Sequence, residues 1–261
     1  MDSVLHSLDE RAIDVGTYLT ERSVPGSVDG QPARCPVCLG ELALACEPSD
    51  GARHFKHRAH ADEARCPLTT ASWQPEGMVV RHLRDVETTR RHRGQFVDHW
   101  QYHYHAMQQL APSLTIKRFV HLIEYADVLN LWSYWKLQQH DVPYVLLALA
   151  EFMIQREQAG ALTWVRFCFD GSVRDVGDLW SLQARPPFFF RMVYREPPLT
   201  PFPTARQLLH CETVVRDDTV LDGPMPHLRH ASAREFECLL GTALRTGERS
   251  DHSQAAPRAV R

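Results

Sequence analysis

Three cysteines and a pair of histidines near the amino terminus have the types and spacing of metal ligands. Cys35 and Cys38 form a Cys-x-x-Cys pair, and Cys66 follows the stretch His54-Phe55-Lys56-His57. A Cys-x-x-Cys hairpin brings two thiolates close enough to share one metal, and Gly40 lets the backbone curl so that amides face the sulfurs. Three sulfurs and one imidazole complete a closed tetrahedral site. The sequence therefore predicts one structural Zn²⁺ held by these residues.

The spacing leaves the nitrogen ligand open between two histidines. His57 is preferred and His54 is the alternative, because either ring can reach a metal held by the flanking cysteines. Cys46 lies between the two halves of the site and is interpreted as a free, partly buried thiol. A redox dithiol is the competing interpretation of the Cys-x-x-Cys pair, but that motif requires a βαβ context. Residues 1–20 lack the pattern of an export signal, so we expect ligands in a reducing compartment, the cytoplasm.

The same residues carry a family resemblance. The succession of Cys35-Pro36-Val37-Cys38, then His54-Phe55-Lys56-His57, then Cys66 resembles the zinc-binding amino-terminal module of competence proteins of the CoiA-like family. The likeness covers about residues 33–68. It implies an association with DNA during uptake, and it implies that the zinc module is coupled to a nuclease-like domain.

The acidic motif of such a nuclease is not found in the expected place. A restriction-type centre needs an acidic residue at a strand end and an acidic-x-Lys or acidic-x-Gln pair on the next strand, because these groups hold Mg²⁺ and position water. Asp170 ends one predicted strand, and Asp175 and Asp178 follow it, but the next strand offers no acidic residue before Glu196. Asp170 is therefore interpreted as part of a hairpin turn. A nuclease with an atypical arrangement of Asp170, Asp175 and Glu196 is the alternative.

A second pair of histidines has the spacing of ligands on a helix. His99 and His103 lie one helical turn apart and so project from the same face, as a helical metal pair requires. No glutamate follows His99 as in the helical metalloprotease motif, and aromatic residues are interleaved with the histidines. Helix packing is the favoured interpretation, and no catalytic residue is assigned.

Basic residues follow the zinc module. The predicted nucleic-acid-binding set is Arg81, Arg84, Arg90, Arg91 and Arg93. With the cations of the module itself, these arginines would present one cationic surface to phosphates; the module's cations are Arg53, Lys56, Arg58 and Arg65. The net charge of the chain is only -3, so DNA or RNA binding must use such a local patch. A solvated helix face or a protein-binding surface is the alternative.

Periodicity predicts the elements that position these residues. Apolar residues recur every three to four positions in helical segments at 76–109, 113–135, 141–160 and 233–244. Gly94 is the candidate break in the first segment, and Ser113 is the expected N-cap of the second. Alternating, β-rich patterns predict strands at 162–169, 188–195 and 211–215. The aromatic segment containing Trp132 and Trp135 is expected to pack in a core or interface, with base stacking as the alternative.

These features predict an α+β protein in which a small zinc-knuckle module precedes a mainly helical region and a small β-sheet region. The expected domains are a zinc module at 1–75, a body at 76–246 and a disordered tail at 247–261. Apolar residues make up 44% of the chain, but its longest apolar run, 142–154, is too short for a membrane span. The predicted function is that of a zinc-stabilised, nucleic-acid-associated accessory protein. The alternatives are the atypical nuclease and a zinc-stapled protein-protein scaffold.

Overall fold

The computed structural model describes residues 3–6, 11–22, 32–46, 51–58, 66–69, 78–80, 84–156, 160–181, 185–198 and 202–253. The chain divides into two compact units. The first comprises Met1–Val79 and Arg156–Val215, and the second comprises Val80–Gln155 and Arg216–Arg261. An amino-terminal sheet, a helical middle and a four-stranded carboxy-proximal sheet follow one another along the chain, which confirms the predicted α+β class.

The amino-terminal sheet has five short antiparallel strands in the order β2-β1-β3-β4-β5. The strands are β1 (Ser3–Leu5), β2 (Ala12–Asp14), β3 (Ala33–Arg34), β4 (Glu41–Cys46) and β5 (Arg53–His57). Helix α1 (Val15–Arg22) follows β2 directly. Its Tyr18 ring meets Phe55 edge-on with 5.2 Å between ring centroids, so α1 packs on the face of β5 that carries Phe55.

The second sheet has the order β6-β7-β8-β9. Its strands are β6 (Met153–Arg156), β7 (Leu162–Phe169), β8 (Phe189–Arg195) and β9 (Leu208–Val214). Alternate residues of β7 are buried, and Phe167 stacks on Phe189 of the neighbouring strand with ring centroids 5.7 Å apart. The predicted strands at 162–169 and 188–195 are confirmed. Strand β6 had been assigned to a helix, and β9 begins before the predicted Cys211.

The described residues of the second unit form five α-helices, and the ends of several helices differ from the predicted ends. They are α2 (Val86–Asp98), α3 (Trp100–Leu110), α4 (Ile116–Val128), α5 (Val142–Leu149) and α6 (His230–Ser253). Gly94 lies inside α2, and the break comes at His99, whose backbone leaves the helical region at φ -116° and ψ 17°. Helix α4 is capped by Thr115, which accepts the Arg118 N–H, so the N-cap assigned to Ser113 was wrong.

The later helices also end elsewhere than predicted. Helix α5 stops at Leu149 because Glu151 adopts a left-handed backbone at φ 57°, and the chain then enters β6 and does not stay helical to Gly160. Helix α6 continues past the predicted end at Leu244 into the segment assigned to a disordered tail; residues 254–261 lie outside the described residues. No helix within the described ranges is long and apolar enough to cross a bilayer.

Aromatic rings form the core of the helical unit. Trp100 of α3 stacks on Phe236 of α6 with ring centroids 3.9 Å apart, and Phe96 of α2 lies 5.9 Å from Phe119 of α4. Trp132, in a short 3₁₀ turn, is fully buried against Phe96. Its predicted role in a core is confirmed for this tryptophan, whereas Trp135 is 68% exposed.

Candidate metal centre

The first two sulfurs are positioned by a tight turn between β3 and β4. The Cys35 N–H donates to the Gly40 carbonyl at 2.9 Å, and the Leu39 N–H donates to the Cys35 carbonyl at 2.9 Å. The left-handed residue of this turn is Leu39, at φ 61°, and not the glycine that sequence analysis had selected for the curl. Gly40 contributes its amide, which points at Cys38 Sγ from 3.4 Å. We name residues 35–40 the knuckle.

Strand alternation selects the histidine. His57 ends β5 and lies opposite Leu42, the second residue of β4, immediately beside the knuckle. Phe55 and His57 are buried, whereas Lys56 between them is exposed and His54 is half-exposed. Because successive strand residues point to opposite faces, His54 faces away from the cysteines. The structure therefore brings His57 to the cluster, which is the preferred ligand of the sequence analysis.

Cys66 supplies the remaining ligand from a separate turn. It is fully buried, and its carbonyl accepts the Thr69 N–H at 3.2 Å. Cys46, at the far end of β4, is exposed and lies outside the cluster, with its sulfur 3.4 Å from the Gly51 carbonyl oxygen. Within the described residues, the one group of three or more potential metal ligands is Cys35, Cys38, His57 and Cys66.

The four ligand atoms have the dimensions of a tetrahedral metal site. They all lie within 4.8 Å of one another. Cys35 Sγ and Cys66 Sγ are 3.8 Å apart, and Cys38 Sγ and His57 Nε2 are 3.2 Å apart. Two sulfurs at roughly 2.3 Å from one tetrahedral zinc would be separated by about 3.8 Å, whereas a disulfide needs about 2.05 Å. The arrangement fits a shared metal ion and does not form a disulfide.

Comparison with known protein families, curated proteins and solved structures finds no match to this chain. The metal centre is therefore interpreted from its own chemistry. The resemblance to CoiA-like proteins remains a hypothesis that depends on the motif at 33–68.

Hydrogen bonding among the three cysteines moves their pKa values apart. Hydrogen bonding to Cys38 raises the pKa of Cys35 to about 12, and hydrogen bonding to Cys35 raises that of Cys66 further. Hydrogen bonds from those two thiols lower the pKa of Cys38 far below its usual range. Crowding of this kind favours a single thiolate, because neighbouring negative charges repel one another in a poorly solvated site. A divalent cation stabilises all three thiolates together, which is the donor set that Zn²⁺ prefers.

The predicted basic set is only partly available to a ligand. Arg84, Arg90 and Arg91 are exposed. Arg93 instead donates to both carboxylate oxygens of Asp127, at 2.8 and 2.9 Å, so it fastens α2 to α4. Arg81 lies outside the described residues, as does Arg65 of the zinc module.

Three of the acidic candidates for a nuclease centre, Asp170, Asp175 and Asp178, have structural roles, and Glu196 is exposed. Asp170 is fully buried; its Oδ2 accepts hydrogen bonds from Arg185 and the Phe188 N–H, and its Oδ1 accepts from Ser172. Asp175 and Asp178 cap the short 3₁₀ helix Val176–Trp180 through reciprocal side-chain bonds. With its oxygens engaged in this way, Asp170 is suited to hold a turn and not to bind Mg²⁺.

In the histidine pair of the helical unit, His103 packs in the core and His99 lies at the surface. His103 is fully buried and stacks on Phe96 with 4.7 Å between ring centroids. Burial lowers the pKa of His103 to about 3, and nearby His99 adds to the effect. His99 itself is exposed, with Nδ1 2.9 Å from the Gln95 carbonyl oxygen. This supports the packing interpretation over a helical metal pair.

Proposed function

We propose that Cys35, Cys38, His57 and Cys66 bind one Zn²⁺ as a structural ion. The observation that carries this proposal is the convergence of four ligand atoms within 4.8 Å on mostly buried side chains. Three sulfurs and one nitrogen complete a tetrahedral shell, so no position is left for substrate or an activated water. The ion's role is architectural: it ties the knuckle to the end of β5 and to the Cys66 turn, which the short strands alone hold weakly.

The zinc proposal is tested by metal content and folding of the full chain. Elemental analysis of the purified protein is expected to find about one zinc per chain. Cys66→Ser should lose zinc and unfold the amino-terminal sheet around the ligands, since structural zinc contributes on the order of 10 kcal/mol to a small module. Cys46→Ser is the matched control and should retain both zinc and stability. A parent chain without zinc, or a fully folded Cys66→Ser protein without zinc, would exclude this role.

We further propose that the chain is a nucleic-acid-associated accessory protein, with DNA as the expected ligand. Support comes from the exposed residues Arg84, Arg90 and Arg91, and separately from the exposed Arg53 and Lys56 on the zinc module. Cations of this kind bind phosphates regardless of base sequence and release counterions. The motif resemblance to CoiA-like proteins points in the same direction.

Fluorescence anisotropy with labelled duplex DNA over a salt series tests this part of the proposal. Replacing Arg90 and Arg91 with glutamine is expected to weaken binding for every sequence and to reduce the slope of log affinity against log salt by roughly 2. Replacing Arg206 and Arg229, two other exposed arginines, with glutamine together is the charge-matched control. Absence of DNA binding, or binding insensitive to salt, would refute the phosphate-binding surface and favour the protein scaffold.

A further inference from the structure

A glycine distant in sequence lies against the knuckle. The Gly171 N–H donates to the Val37 carbonyl at 2.8 Å. A Cβ atom on Gly171 would lie 2.5 Å from the Cys38 carbonyl oxygen and 2.8 Å from the Cys38 carbonyl carbon. Both neighbouring atoms belong to backbone, so no flexible side chain can move aside. Only glycine lets this turn approach a metal ligand so closely.

The turn is held rigidly by the residue before the glycine. Asp170 is fully buried, and its carboxylate accepts the Phe188 N–H at 2.8 Å and the Ser172 N–H at 2.9 Å. Arg185 adds a charged donor at 2.8 Å. The Asp170 N–H also donates to the Phe188 carbonyl at 3.0 Å, which closes the β7–β8 connection at its base. A buried carboxylate with this many donors resists displacement, because moving it would leave polar groups unpaired.

A second link joins the segment after this turn to the amino-terminal part of the chain. The Val79 N–H donates to the Arg174 carbonyl at 3.2 Å, and the Val176 N–H donates to the Val79 carbonyl at 3.1 Å. Residues 174–176 are therefore held by Val79 through hydrogen bonds that do not involve the Asp170-Gly171 turn. The Asp170-Gly171 turn cannot easily retreat, so strain introduced at Gly171 would fall on Cys38.

We infer that the Asp170-Gly171 turn is a positioning element of the metal site. It holds the Val37-Cys38 backbone in the ligating conformation and couples metal occupancy to the β7–β8 hairpin. This inference rests on the proposed zinc site. Groups that orient metal ligands commonly change metal affinity by 10-fold to 100-fold when altered. Coupling is reciprocal, so metal binding must stabilise the turn as much as the turn strengthens metal binding.

Zinc affinity of a glycine variant tests the positioning role. Competition with a chromophoric chelator is expected to show 10-fold to 100-fold weaker zinc binding for Gly171→Ala. Gly94→Ala is the matched control, because a Cβ there meets no atom within 4 Å. The visible spectrum of the Co²⁺-loaded protein at saturating metal is expected to change for Gly171→Ala alone, which a loss of general stability would not cause. Unchanged affinity in Gly171→Ala would overturn the inference.

Hydrogen exchange of the unsubstituted chain tests the reciprocal effect without any variant. Zinc removal is expected to speed amide exchange at 169–173 and at Phe188, with α4 peptides as the internal reference. Asp170→Asn, which exchanges an acceptor for a donor, should reproduce part of the Gly171→Ala effect. Unaltered exchange at 169–173 would overturn the coupling. If the parent chain binds no zinc, the proposed metal site fails; if it binds zinc as tightly as Gly171→Ala, only this inference fails.

Discussion

Replacing His57 of β5 should weaken zinc binding roughly 100-fold, whereas replacing His54 of the same strand should not. His57 is 6% exposed, and its Nε2 lies 3.2 Å from Cys38 Sγ. Structural zinc sites contribute about 10 to 16 kcal/mol through four ligands. Loss of one ligand should therefore cost about 3 kcal/mol, which is roughly a 100-fold loss of zinc affinity. His54, on the opposite face of the same strand, makes no such contribution.

The assay is a zinc competition titration of His57→Ala and His54→Ala, run in parallel with the parent chain. Both variants remove an imidazole from the same strand, so differences in strand propensity cancel. We expect His54→Ala to bind zinc as the parent does. Equal affinities for His57→Ala and the parent, or a weakened His54→Ala, would refute the assignment of the nitrogen ligand.

Two further predictions concern the helical unit. His103 has a pKa of about 3 when folded, against about 6.5 when unfolded, so the unfolded chain binds the extra proton between these values. The free energy of unfolding should therefore fall by about 1.4 kcal/mol for each pH unit as the pH decreases below about 6.5. Urea titrations at about pH 4 to 7 should show that His103→Phe lacks this pH dependence. Parallel plots of unfolding free energy against pH for the variant and the parent chain would contradict this. Asp127→Ala should lower the free energy of unfolding by about 2 to 3 kcal/mol, because Arg93 and the Trp132 indole N–H lose their acceptor; a change under about 0.5 kcal/mol by the same method would contradict this.

The metal ligands were predictable because their chemistry is local in sequence. Cys35 and Cys38 share one turn. Once the bounds of β5 are known, alternation along the strand places His57 and His54 on opposite faces. The knuckle's left-handed residue was not predictable, since Leu39 occupies a conformation in which glycine is the usual expectation. Closing the turn around the ligands overrides this preference.

Hydrophobic periodicity predicted the helices and strands except where contacts distant in sequence determine where an element begins or ends. Residues 162–169 alternate clearly and form β7 as predicted. The break at His99 was not predictable, because one glycine costs a helix only about 1 kcal/mol and α2 continues through Gly94. Residues 153–156 extend the apolar run of α5, and only the backbone reversal at Glu151 separates the strand from the helix.

The contact between Gly171 and the knuckle could not be predicted from the local sequence around either segment. An Asp-Gly pair is typical of hairpin turns in general, and the alternative interpretation of Asp170 was a nuclease centre. Its actual partners are Val37 and Cys38, far away in sequence. Similarly, Arg93 looks like a phosphate ligand in a basic run, but its geometry is complementary to Asp127. Such pairings depend on the folded arrangement and not on spacing.

Zinc K-edge X-ray absorption of the purified chain tests the central claim most directly, because it reports the number and type of atoms bound to the metal. The Cys35, Cys38, His57 and Cys66 site predicts three sulfurs at about 2.3 Å and one nitrogen at about 2.0 Å, with no bound water. A shell of oxygen and nitrogen ligands, fewer than three sulfurs, or the absence of zinc from folded protein would contradict it.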